Sequence, residues 1–200
     1  KDDPRKSARE GTGVTRLAYQ SMLQLINAAK EVRRDPVWAR FLMARFWYMW
    51  AVNAASSFAV LYGVQTVGLS ATQVQVVLLL GIITGVPSAA VWGRMVDKLG
   101  GSFVLKTVVS CWLVLLIATI IIPIVGLPPF VWGGIGVLSG VFIAGLYVAE
   151  RPLVIRMAPP GRIAEYFSLN SMSGRLAAIA GPFSWGLIAV TLGLGQIVAV

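Results

Sequence analysis

Long apolar runs, each interrupted by at most one charged side chain, recur along this chain and leave room for few folds. Read with a window of about 19 residues, they cover roughly 43–65, 72–92, 103–125, 129–149 and 166–192, and a further run starts near Gln196. A helix rising about 1.5 Å per residue needs some 20 such residues to cross a hydrocarbon layer of roughly 30 Å. A soluble globule could not hide this surface: 57% of the residues are hydrophobic and 12% charged, where soluble domains carry about 25% charged residues. The expected class is an all-α membrane protein with five complete spans and the start of a sixth.

The links between the runs alternate in charge. Residues 66–71, 126–128 and 193–195 contain no charged side chain, and all seventeen Lys and Arg fall on the other side. The positive-inside rule then makes the N-terminal segment and the links around 93–102 and 150–165 cytoplasmic. This placement explains the formal net charge of +9 without nucleic acid, because the basic residues punctuate membrane runs instead of forming one polar face. Residues 1–37 read as a cytoplasmic linker. Its first 12 residues are polar, and 14–34 form an amphipathic helix whose basic face suits an anionic leaflet. No secretory signal peptide is visible. The first residue is Lys1 and the last run is cut at Val200, so the chain is expected to be a piece of something larger.

Composition also removes chemistries. The chain has no His and one Cys, Cys111, so no imidazole base, disulfide framework or Cys/His metal site is available within it. The runs hold no paired carboxylates and no nucleophile beside a base, so no enzyme, metal or cofactor is expected.

Polar groups inside the runs are the functional candidates, because lipid offers them no partners. Asn53, Ser56 and Ser57 share one helical face. Arg175 stands deep if its helix starts near Tyr166, and at the interface if the span is instead the uncharged run 176–194. In the deep register it can attract a carboxylate substrate or pair with Glu150. Glu150 is expected either to carry protons or, preferably, to form an ion pair with Arg151 or Arg156 at the inner face. Arg40 and Arg45, within an aromatic girdle running from Trp38 to Trp50, are expected to snorkel to water. Gly81, Gly85, Ala89 and Gly93, and again Gly136, Gly140 and Ala144, recur every four residues and allow close helix packing.

Residues 93–101 (GRMVDKLGG) form a charged link after the second run. Gly93, Asp97, Lys98 and Gly100 resemble the Gly-x-x-x-Asp-Arg/Lys-x-Gly-Arg signature of the major facilitator superfamily, with Gly101 in place of the final Arg. Residues 40–48 (RFLMARFWY) and 156–169 (RMAPPGRIAEYFSL), the latter continuing through Ser173, Gly174 and Arg175 to Pro182, are similar to the vacuole-effluxer-like, Atg22-type branch of that superfamily. The resemblance implies one six-helix half of a twelve-helix bundle, the C-terminal one, with an N-terminal half as its partner. It implies secondary transport by alternating access, with amino-acid efflux as the activity. The membrane would be the plasma membrane in a bacterium and the vacuolar membrane in a fungus. Gly93, Arg94, Asp97, Lys98 and Gly100 would form the gating motif, and Asn53, Ser57, Tyr147, Asn170 and Arg175 would line the pathway of a small-molecule substrate. A membrane scaffold or dimerising half-transporter is the alternative from another class.

Overall fold

A computed structural model of the protein describes residues 35–187. The linker and amphipathic helix expected before residue 35, the end of the fifth run and the start of the sixth lie outside the described residues. Within them the chain is five long helices and no strand: α1 (Pro36–Gln65), α2 (Ala71–Leu99), α3 (Gly101–Val125), α4 (Pro129–Met157) and α5 (Ile163–Gly186).

Local chemistry sets the helix starts. Asp35 caps α1, its Oδ1 accepting from the Val37 and Trp38 backbone N–H groups at 2.9 and 3.2 Å, and Pro36 follows at the first helical position. Ser70 and Gln73 form a reciprocal capping box on α2. The links are short, so successive helices run antiparallel.

The helices outrun the apolar stretches at their basic ends. α2 continues to Leu99 and α4 to Met157, because backbone hydrogen bonding persists after hydropathy falls. Residues 93–99 therefore form the last two turns of α2, not a loop. The turn is Gly100 alone, at φ +85°, a conformation that a β-carbon disfavours.

Two helix pairs make most of the body: α2 packs along α4, and α1 along α5, while α3 lies mainly on α4. The small-residue stripes of α2 and α4 face each other. A β-carbon on Gly85 would lie 3.0 Å from the Gly140 carbonyl oxygen, and one on Gly140 would run into the Gly81 carbonyl. Trp92 adds a hydrogen bond across this contact, Nε1 donating to the Val141 carbonyl at 2.9 Å. The α1/α5 contact uses more polar bonds: Ser173 Oγ donates to the Leu42 carbonyl at 3.4 Å, and Trp50 Nε1 to Ser184 Oγ at 2.8 Å.

Buried aromatic residues mark three levels along the bundle. Trp38 and Tyr166 pack with Val154 and Leu169 at the basic end. Trp92 and Trp112 pack with Val104, Val108, Leu146 and Ala149 further in. Tyr62 and Trp132 join Val74 and Ile122 at the far end. Three helical stretches among the described residues are long and apolar enough to cross a membrane: Ala71–Leu99, Gly101–Ile122 and Pro129–Met157.

Candidate functional site: a buried ion cluster joining three helices

Trp38, Arg45 and Met49 are spaced seven and four residues apart and so share the inward face of α1, where all three are buried. Arg45 is only 6% exposed. It does not snorkel to water as the sequence suggested, because that face is covered by α4 and α5. Its Nε donates to Glu150 Oε2 of α4 at 3.1 Å, and its Nη1 donates to the Asn170 backbone carbonyl of α5 at 2.6 Å. Tyr48, one turn of α1 from Arg45, donates its hydroxyl proton to Glu150 Oε1 at 2.5 Å. Both carboxylate oxygens are thus engaged, and charge is balanced within the cluster, as burial in a low dielectric requires.

Glycine makes the approach possible. A β-carbon on Gly174, one turn beyond Asn170, would sit 2.7 Å from Arg45 Nη1 and 3.1 Å from Nη2. The guanidinium therefore presents its Nη1/Nη2 edge to the α5 backbone. It has five N–H donors, and Glu150 meets only the Nε edge of it. Asn170 is buried, and its side-chain Oδ1 has no hydrogen-bond donor among the described residues.

Glu150 is therefore neither paired with Arg151 nor with Arg156. Adjacent residues 150 and 151 point to different sides of a helix, and both arginines are exposed while Glu150 is 3% exposed. Nor does it meet Arg175. α5 begins at Ile163 and Arg175 is exposed on it, about 18 Å along the helix axis at 1.5 Å per residue.

The remaining pathway candidates are not gathered into this cluster. Asn53 is half-buried and spends its Nδ2 on the Met49 carbonyl of its own helix at 2.7 Å. Ser57 and Tyr147 are exposed. In the motif, Arg94, Asp97 and Lys98 are exposed and form no ion pair among the described residues, while Gly93 lies within α2. Sequence reasoning missed Arg45 and Tyr48 as members of a site. The available signal was the heptad spacing of Arg45 from Trp38, which sets both on one face.

A cavity of about 320 Å³ lies among α1, α2, α3 and α4. Its hydroxyls are largely spent on backbone: Tyr62 donates to the Thr119 carbonyl at 3.0 Å, Thr119 to Leu115 at 2.8 Å and Ser139 to Gly136 at 2.6 Å. It is an apolar space with little to offer a polar ligand. Among the described residues no group of three or more His, Cys, Asp or Glu side chains could hold a metal ion.

Long apolar helices, packed through glycine and held by one neutral ion cluster, define a helical membrane protein. The family model described as vacuole effluxer Atg22 like matches residues 3–193, and the chain belongs to that family, which is one of transporters of the major facilitator type. No curated protein and no solved structure matches it.

Proposed function

We propose that the protein is a secondary active transporter that exports a small polar metabolite, an amino acid by preference, through alternating access. In this reading all five helices span the membrane, residues 1–37 are a cytoplasmic linker, and the bundle is the C-terminal half that works against a second six-helix half. The observation that carries the reading is the Arg45–Glu150–Tyr48 cluster. Charges buried between apolar helices are costly in a membrane and are kept where a function uses them. Membership in an effluxer family supports the same conclusion.

The exposed polar residues then acquire a place. Ser57, Tyr147 and Arg175 stand on long helices without being sealed inside this bundle, and in the proposal they line the path between the halves. Arg175 supplies the cation for a substrate carboxylate, and Asn170, buried here with its Oδ1 unpartnered among the described residues, offers an acceptor to an ammonium group only once α1 and α5 part. Arg94, Asp97 and Lys98, projecting from the end of α2, contact the second half in one gating state.

The test is flux. The native polypeptide, reconstituted in vesicles loaded with labelled amino acids, is expected to release them, and Arg45→Gln and Glu150→Gln are expected to stop release while protein remains in the membrane. Wild-type flux in both variants would remove the cluster from the mechanism. No flux of any amino acid from the unaltered protein would favour the scaffold alternative.

A further inference from the structure

Lys106 is a cation placed inside a membrane-spanning stretch, in the second turn of α3, and no described residue forms an ion pair with it. It is exposed, and it lines a groove of about 660 Å³ between α1 and α3. From Lys106 the groove runs past Trp47 and Ser110 to Ala51, Trp112 and Leu116, so its mouth is charged and polar and its depth is apolar. Its volume falls within the range of about 300–1,000 Å³ typical of small-molecule sites. One wall is the ring of Tyr48, whose hydroxyl holds Glu150.

We propose that this groove binds an anionic phospholipid, with the phosphate headgroup on Lys106 and an acyl chain lying along α1 and α3. Three observations select that occupant. The groove is open among the described residues, with Trp47, Lys106, Ser110 and Leu113 exposed along it, and on the membrane reading proposed above lipid is the solvent of such a face. Lys106 lies only about 7.5 Å along α3 from Gly101, at the basic end, so a headgroup at the interface reaches it. The charge at the mouth is positive and has no counter-charge among the described residues, while the depth offers only surface that a hydrocarbon chain satisfies. An occupied groove would back the Tyr48 ring and so steady the ion cluster behind it.

The full chain, reconstituted in phosphatidylcholine vesicles with a minor fraction of phosphatidylglycerol bearing a photoreactive diazirine on its acyl chain, provides the test. After irradiation, adducts are expected to concentrate on the peptides of α1 and α3 that carry Ala51 and Leu113. Labelling there should fall about fivefold in Lys106→Gln, the factor that one basic residue contributes at an anionic leaflet, and return in Lys106→Arg. Ala51→Phe, which fills the groove and leaves Lys106 in place, should lose it too. Equal labelling by the matching phosphatidylcholine probe would overturn headgroup recognition. Adducts spread evenly over the outward face of α2, at Ile82 and Ile83, would overturn the site. Displacement of the label by inorganic phosphate would assign Lys106 to a soluble anion and overturn the lipid.

Discussion

Arg45 of α1 and Glu150 of α4, 105 positions apart in the chain, meet at 3.1 Å through Nε and Oε2 with side chains 7% and 4% exposed. A buried pair of this kind is stabilising only while both charges are present, since either one alone is an uncompensated charge in a low dielectric.

Glu150→Gln and Arg45→Gln are each expected to destabilise the fold by about 3–5 kcal/mol, and the double substitution by much less than the sum. Denaturant unfolding in detergent micelles measures this. Strict additivity of the two single effects would mean that the pair has no energetic role.

Gly174→Ala pushes a methyl group against the Arg45 guanidinium and breaks its bond to the Asn170 carbonyl. A loss of about 1.5–3 kcal/mol is expected, as for a hydrogen bond from a charged donor. The same substitution made in the Arg45→Gln background should have an effect under about 0.5 kcal/mol. An undiminished effect there would show that Gly174 acts through backbone packing and not through Arg45.

Gly140→Leu places a side chain on the Gly81 carbonyl, where only backbone could yield. The α2/α4 contact should open, and the yield of monodisperse protein on size-exclusion chromatography should collapse. Gly134→Leu is the control, because the space around Gly134 is empty and exposed. Equal yields from the two variants would contradict the close contact.

Arg175→Gln is expected to abolish amino-acid flux and shift stability by less than about 0.5 kcal/mol, the range for exposed substitutions away from special features. Vesicle efflux and detergent unfolding give the two readings. Unchanged flux would take Arg175 out of the substrate path.

The helices were legible because apolar runs near 20 residues leave lipid-crossing helix as the reading, and the stripes at Gly81 and Gly140 foretold which faces touch. Helix ends were not legible by the same means. Hydropathy marks where the chain leaves an apolar environment, and α2 and α4 stay helical beyond that point, so the stretch Gly93–Gly100, a charged link by hydropathy, is helical for the six residues after Gly93. The site was half legible. Glu150 stood out as the one acid at the end of an apolar run, and its partner did not, because Arg45 sits in an aromatic segment where an exposed, snorkelling arginine is equally well explained. A salt bridge across 105 positions leaves no local pattern; only the packing of α1 along α5, from which the Arg45 side chain reaches Glu150 of α4, selects Arg45 over Arg151, Arg156 and Arg175.

The two main helix contacts respond differently to water. Between α2 and α4 the backbones touch at Gly81, Gly85 and Gly140, so at those points there is no room for a water molecule. Between α1 and α5 the backbones also touch, at Gly181 against Trp50 and Ala54, but elsewhere that contact is stitched by Ser173, Trp50, Ser184 and the guanidinium of Arg45, each bond being one that water can replace. Hydration would therefore enter beside α1 and α5 first, and the α2/α4 contact would stay dry and fixed. If the bundle opens a wetted route, this asymmetry decides which side of it slides and which side serves as the wall.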